Sequence, residues 1–364
     1  MLGRRLNRMM KENKQKIIFV TAGMAGGGTE RVIAVVANYL ADQSYDVLIL
    51  MTSRDDVVYD LRKDIEVQAI GGTTGGRLIK RVKRIGKLRG YFKSSGEAVI
   101  VSFGTETNLF ALLAHIGLKN KIIISERNDP NQCNFKMLRN LIYRLADHFV
   151  FQTEDARQYF SKKIADRGVV IPNPLAKEMK KDFSGERTHD IVAVGRLEPQ
   201  KNHRMLLQAY QLFDRKYPEY RLVLYGKGLL QEELENFAKE LGIEQKVVFA
   251  GFTQEVEKKI QDAAMYVLSS DYEGISNSLM EAMAMGLPVI STDCPIGGSK
   301  MLITDKVNGL LTPVGDTRAF AAAMCYMAKD PERAERMGEA AQYIQREYST
   351  ENICKKWEKE IMSR

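Results

Sequence analysis

The sequence predicts an α/β protein made of two doubly wound parallel-sheet domains in tandem, and three observations carry that prediction. Short apolar runs alternate with longer amphipathic ones along the chain, which is the rhythm of βαβ units. The rhythm breaks once, at IPNPLAKEMKKDFSGERTH, and restarts at Asp190. Finally, 364 residues exceed one ordinary core, so two domains are expected on length alone.

Taken in order, KIIFVTAG (16 to 23) reads as the first strand, followed by a glycine loop and a helix from about Glu30 to Ala41. DVLILMT, EAVIVSFG, KIIISERN and HFVFQT are further strands, each closed by a polar or glycine-containing turn. These make a first domain over residues 1–172. After the connector come DIVAVGRL, RLVLYGKG, VVFAGF, MYVLSS and LPVIST, which make a second domain over 187–345. Sheets of this kind bind ligands beyond the carboxyl ends of their strands, and a cleft between two of them is the natural active site.

The composition, 45% hydrophobic and 27% charged, is that of a soluble globular protein. No apolar run approaches the ~18–20 residues that span a bilayer. The basic N-terminus, MLGRRLNRMMKENKQK, lacks the apolar core of a secretory signal. Four scattered cysteines, the closest pair being Cys325 and Cys354, exclude a CxxC metal or redox site and suit a reducing cytosol. Charge is uneven. Residues 1 to 170 carry 28 Lys and Arg against 17 Asp and Glu, whereas the whole chain nets only +8. That asymmetry points to a polyanionic partner for the first half alone, with nucleic acid and an anionic membrane both in view.

The richest basic segment is RLIKRVKRIGKLRGYFK, residues 77 to 93, and no acid occurs between Gly71 and Gly96. Leu78, Val82, Ile85, Leu88 and Phe92 recur at helical spacing, so the segment reads as a basic amphipathic helix. Lys80, Arg81, Lys83 and Arg84 are its candidate membrane contacts, set among anionic headgroups with the apolar stripe inserted. The competing reading is a surface helix whose stripe packs on its own domain.

Several strand ends carry ligand-compatible residues. AGMAGGGTERV puts Gly26, Gly27 and Gly28 before a helix, where backbone can approach an anion or sugar, or where only a tight turn is needed. It is neither a P-loop nor GxGxxG. VGRLEPQKNHR places Arg196 and Lys201 beside a helix that Asn202 can cap. Two such cations suit a diphosphate, or are merely solvated. YGKG offers Gly226 and Gly228 to a nucleoside, and CPIGGSK offers another turn at Gly297 and Gly298.

In DYEGISNSLMEAMAMGLPVIST, Gly274 puts Glu273 before the helix, free to bend into the cleft, with Glu281 one turn inside it. Amides of Ile275, Ser276 and Asn277 then face the same ligand. Against a role for Glu281 stands a capping box, Ser278-Leu-Met-Glu281.

In sequence, GRLEPQKN, YGKG, EGISNSLMEAMAMGLPVIST with its E-x7-E spacing, and GG followed by NGLLTPVGD resemble the retaining glycosyltransferases of family 4. The likeness runs through residues 189 to 345 and more loosely through GMAGGGTERV, SERNDP and IPNP. It implies a GT-B fold: two Rossmann-like domains facing across a cleft, with the C-terminal helix, 346–364, crossing back to the first. It further implies that Arg196 and Lys201 hold the donor diphosphate, Glu273 the sugar hydroxyls and Glu281 the ribose. The Gly26–Gly28 loop would then approach the diphosphate from the other side.

An oxocarbenium-like transition state whose diphosphate departs needs fixed cations on the leaving oxygens. Catalysis is therefore expected of Arg196, Lys201 and Glu273, the last as a positioner rather than a nucleophile. No metal and no cofactor are expected; the nucleotide sugar is a substrate. Many relatives carry a histidine near the acceptor. Here Glu106, Glu126 and Arg127 take over as acceptor candidates, while His115, His148 and His203 fall in helix or strand. The expected enzyme moves a hexose or N-acetylhexosamine from a UDP-sugar to a lipid-linked saccharide. It works as a peripheral protein on the cytoplasmic membrane face and binds no nucleic acid. Alternatives are an epimerase or phosphorylase of the same fold, or a non-catalytic nucleotide binder.

Overall fold

The computed structural model describes residues 14–53, 55–71, 76–175 and 185–363. The first 13 residues of the N-terminus, and residues 176–184 of the expected connector, lie outside them. The chain divides into two compact units, Met1–Ala176 with Thr350–Arg364, and Lys177–Ser349.

Unit 1 is a seven-stranded parallel sheet in the order β3-β2-β1-β4-β5-β6-β7. Its strands are β1 (Lys16–Thr21), β2 (Asp46–Met51), β3 (Glu66–Ala69), β4 (Val99–Phe103), β5 (Lys121–Glu126), β6 (His148–Phe151) and β7 (Gly168–Val170). The central strands are buried along nearly their whole length, which is why they read as unbroken Val/Ile/Leu runs rather than alternations. The winding reverses beside β1, so a crevice opens there at the carboxyl edge.

The unit's longer helices are α1 (Gly28–Asp42), α2 (Arg77–Ser94), α3 (Thr105–His115) and α4 (Lys136–Ile142), with short α5 (Glu154–Tyr159) and α6 (Lys162–Ala165) after β6. α1 starts two residues earlier than the pattern predicts, because the glycine run itself enters the first turn.

Unit 2 is a six-stranded parallel sheet in the order β10-β9-β8-β11-β12-β13. The strands are β8 (Asp190–Val194), β9 (Arg221–Tyr225), β10 (Val247–Gly251), β11 (Met265–Leu268), β12 (Val289–Thr292) and β13 (Leu310–Thr312). Between them run α7 (His203–Asp214), α8 (Gln231–Glu240), α9 (Val256–Ile260), α10 (Asn277–Ala284) and α11 (Gly298–Leu302). α12 (Thr317–Lys329), α13 (Pro331–Ala341) and α14 (Ile344–Glu347) follow. The core gathers Leu206, Tyr210, Phe213, Val267, Phe320 and Met324 around this sheet.

The last helix, α15 (Thr350–Met362), belongs to unit 1 and packs on α1. Trp357 is fully buried with its ring 5.4 Å from that of Phe103. Tyr39 and Tyr45 donate to Glu358 at 3.1 and 2.9 Å. Lys121 donates to the terminal carbonyls of Glu360, Ile361 and Ser363 at 2.9, 3.2 and 2.6 Å, satisfying acceptors that the helix cannot satisfy itself.

Candidate active site

The carboxyl edge of unit 2 is built from interlocked loops. After β8 the chain runs through Gly195 and Arg196 into a single 3-10 turn, Pro199–Lys201. Asn202 adopts the left-handed conformation (φ 45°) and caps α7, its side chain accepting from the Met205 amide at 3.1 Å. The Asn202 side-chain Nδ2 donates to Asp271 Oδ1 at 2.6 Å, tying this loop to the one after β11. Gln200 adds a bond to the Tyr272 carbonyl at 3.0 Å, and Ser269 one to the Lys201 carbonyl at 2.8 Å.

This scaffold sets Lys201 Nζ 2.5 Å from Glu273 Oε2, in a pair whose side chains are only 13% and 16% exposed. Ser270 Oγ also donates to that oxygen, at 3.4 Å. So deep an ion pair gains little net stability after desolvation, but removing one partner strands the other. Arg196 is different. It is exposed and pairs with Glu198 at 2.9 Å rather than lying in the buried pair.

The glycines serve close backbone approach. A Cβ at Gly226 (φ +147°) would stand 1.8 Å from the Gly195 carbonyl oxygen, one at Gly228 2.2 Å from that of Leu197, and one at Gly298 1.7 Å from that of Gly274. The loops after β11 and β12 also exchange backbone bonds, Glu273 N–H to Pro295 at 2.6 Å and Ile296 N–H to Glu273 at 3.0 Å.

α10 begins at Asn277 with Ser276 as its cap, accepting from the Leu279 amide at 3.4 Å. The Ser278–Glu281 capping box is therefore not formed. Ser278 instead bonds Tyr266 and the Val194 carbonyl at 2.8 and 3.1 Å, and Glu281 sits buried too deep in the helix to reach the cap. Ile275, Ser276 and Asn277 form the positive end of this helix.

Two groups near the pair were given no role by the sequence. Burial, reinforced by the Lys201 charge, pushes the His203 imidazole down to about 4, so it is neutral at physiological pH. Burial and the Glu273 charge push the Cys294 thiol up to about 12, which makes it unreactive. His203 is a sequence neighbour of Lys201, whereas only the fold brings Cys294 to Glu273.

The carboxyl edge of unit 1 is organised otherwise. Gly27 caps α1, and Tyr59 OH both accepts from its amide (2.8 Å) and donates to its carbonyl (2.7 Å). Gly26 has φ +111°, which only glycine holds without strain; Gly28 is the first residue of α1. Glu126, at the end of β5, is buried and accepts from Tyr143 OH, from Thr105 at 3.3 Å and from Asn108 at 3.3 Å. Burial raises its pKa against the opposing influence of those donors and of Arg139.

Arg127 is buried beside it and donates to Asn173, while its Nε and Nη1 have no hydrogen-bond partner among the described residues. Burial alone lowers its pKa to about 9. Glu106 is exposed in the first turn of α3 and lies 3.6 Å from Arg81. In α2 only Leu88 and Phe92 are buried. Leu78 and Val82 face outward beside Lys80, Arg81 and Lys83, so half of the apolar stripe does not pack on its own domain; Arg84 is half-buried.

Among the described residues, no helix is long and apolar enough to cross a membrane, and no group of three or more His, Cys, Asp or Glu is placed to hold a metal ion.

Two family models match the chain: Glycosyltransferase Family 4 over residues 26–178 and Glycosyl transferases group 1 over residues 176–343. An α-1,4-N-acetyl-D-galactosaminyltransferase of Campylobacter jejuni, whose name gives its substrate as a diphospho-undecaprenol-linked GalNAc disaccharide on diNAcBac, is 29% identical. That alignment covers 95% of this chain and 98% of that protein. An uncharacterized glycosyltransferase of Haemophilus influenzae is 28% identical over 92% and 96% of the two chains. Among solved structures, Anabaena HepE in complex with UDP and glucose superposes with a TM-score of 0.83 at 18% identity, covering 96% and 100%. The lipopolysaccharide outer core galactosyltransferase WaaB does so at 0.77 and 21%, covering 95% and 99%.

Proposed function

The chain belongs to the family 4 glycosyltransferases of GT-B fold, and from that premise we propose a retaining transfer from a UDP-sugar to a lipid-diphosphate-linked saccharide in polysaccharide or lipid-linked glycan synthesis. The observation that carries the reading is the Lys201–Glu273 pair at the carboxyl edge of unit 2. Both hydrogen bonds that the described residues make to the Glu273 carboxylate fall on Oε2. Oε1 is thereby left to orient sugar hydroxyls while Lys201 takes the departing diphosphate. Arg196 leaves Glu198 to join it, Glu281 holds the ribose, and the α10 N-terminus with the Gly226 and Gly228 turns completes the donor contacts of unit 2. The UDP-containing neighbour and the curated relative acting on a diphospho-undecaprenol-linked glycan support the substrate classes.

On the acceptor side, Arg127 offers two unpartnered donors to an anionic group. Glu126, held by three neighbours, positions the start of α3, and Glu106 stands at the rim. The cations of α2 support contact with an anionic membrane at the cytoplasmic face. Charge neutralisation on the leaving group falls to Lys201 and Arg196, so no metal is required. The test is a panel of UDP- and GDP-sugars with and without a polyprenyl-diphosphate-linked acceptor. Expected is acceptor-dependent turnover of a UDP-sugar, with the product keeping the donor's anomeric configuration and EDTA having no effect. Epimerisation without acceptor, or a requirement for inorganic phosphate, would overturn the reading.

A further inference from the structure

α4 is folded inside out. Its sequence, KMLRNLI, continues through the 3-10 turn Tyr143–Leu145, and its arginine is the residue that faces the core. Arg139 is 0% exposed; it donates to the Pro130 carbonyl at 2.7 Å and lies 4.8 Å over the Phe160 ring. The apolar residues face outward, with Met137 90% exposed, Leu141 60%, Leu138 52% and Leu145 47%. These four share one stripe at helical spacing, and Phe135 is exposed just before it. A buried guanidinium beneath an exposed apolar stripe inverts the ordinary arrangement, and a contiguous patch of that kind marks an interaction surface.

The surroundings identify the occupant. From Pro130 to Ala146 the sequence contains no acid, and Lys136 and Arg144 are exposed beside the stripe. The connections β3–α2–β4, β4–α3–β5 and β5–α4–β6 all step the same way along the sheet. Right-handed crossovers therefore put α2, α3 and α4 on one face, with their N-termini at the carboxyl edge. α3 packs against both neighbours. The outward residues of α2, Leu78, Ile79 and Val82 with Lys80, Arg81 and Lys83, thus share a face with those of α4.

We infer that α2 and α4 together form a two-pronged docking surface for an anionic phospholipid bilayer, in which α4 inserts Met137, Leu138, Leu141 and Leu145 at the headgroup–acyl boundary while α2 supplies most of the charge. Apolar side chains flanked by Lys136 and Arg144, on a segment that carries no acid, match that interface. The one exposed carboxylate of the α3 first turn, Glu106, is paired with Arg81. A second copy of the chain would instead set cations against cations. The inference rests on the proposed membrane association and adds a second, charge-independent contact to it.

The test uses the full-length protein and vesicles of phosphatidylcholine and phosphatidylglycerol at about 3:1. At about 0.5 M salt the charges of α2 are screened, so the residual binding reports α4. M137S/L141S is expected to lose about tenfold or more of that residual binding, with an unchanged near-UV spectrum and donor affinity. A separate variant, M137W, gives a positive signal, because the native Trp357 is buried. Its emission is expected to shift to the blue and to be quenched by brominated lipid.

If wild type binds vesicles but M137W is neither shifted nor quenched and M137S/L141S binds as wild type does, the α4 inference is wrong while the membrane reading stands. If wild type does not bind at all, both fall. If the double variant instead turns a dimer into a monomer with vesicle binding intact, a second copy is the occupant and the inference is overturned.

Discussion

The two carboxyl edges of this molecule are built on opposite principles. In unit 2 the loops lock backbone against backbone, with Gly226 on Gly195, Gly228 on Leu197 and Gly298 on Gly274, and together they carry a buried ion pair, Lys201–Glu273. In unit 1 the glycine loop is held by a tyrosine hydroxyl, and the ionisable groups Glu126 and Arg127 are buried, hydrogen-bonded to uncharged side chains. A rigid edge holding a preset charge pair suits one invariant group, such as a diphosphate. An edge with buried, partly unsatisfied polar groups suits a ligand that varies.

The sharpest way to break this contrast is at the ion pair. Lys201→Ala is expected to lower kcat/KM by about 10²–10³-fold, since it removes a cation from the leaving group. Glu273→Ala should fall comparably, and the double variant should fall by less than the product of the two, as residues of one unit do. If steady-state kinetics gives wild-type values for Lys201→Ala, the phosphate assignment is wrong.

Next comes the backbone lock. Gly298→Ala drives a methyl onto a backbone carbonyl and is expected to destabilise unit 2 by on the order of 3 kcal/mol. Gly27→Ala meets only the movable end of Glu30, from an extended backbone, and is expected to stay within about 1 kcal/mol. Denaturant titrations of the two variants compare the edges directly, and equal losses would erase the distinction.

His203 provides the pH test. The unfolded chain takes up its proton near pH 6.5, whereas the folded chain refuses it until about pH 4. The His203 contribution to stability is therefore constant above about pH 6.5 and is lost as pH drops through that window, by about 3 kcal/mol in all. His203→Gln should flatten that part of the stability profile; an unchanged slope would refute the burial argument.

The smallest effect is expected at Arg196, which is exposed and already paired with Glu198. Arg196→Ala should raise the donor KM by about tenfold or less and leave the melting temperature unaltered.

How much of this was legible in the sequence follows from how local each signal is. The central strands announce themselves because burial on both faces demands unbroken apolar runs. β3 and β7 do not, since four and three half-buried or exposed residues are too few to show a period. The Asn202 cap is local and readable. The Asn202–Asp271 bond, which carries one loop to the other, spans 69 positions and leaves no trace in either segment. Ser278 and Glu281 spell a capping box, yet Ser276 wins the cap because Ser278 finds Tyr266 and Val194 in the tertiary fold. Nothing in residues 137–145 says that the arginine turns inward; the Phe160 ring and the Pro130 carbonyl decide that.

The central claim is that unit 2 grips the diphosphate through Lys201 while Glu273 steers the sugar. A crystal structure of the protein with its bound UDP-sugar tests it most directly. Expected are a diphosphate oxygen within hydrogen-bond distance of Lys201 Nζ and a sugar hydroxyl on the Glu273 carboxylate. A nucleotide sugar bound with its diphosphate elsewhere, and Lys201 still engaged by Glu273 alone, would contradict it.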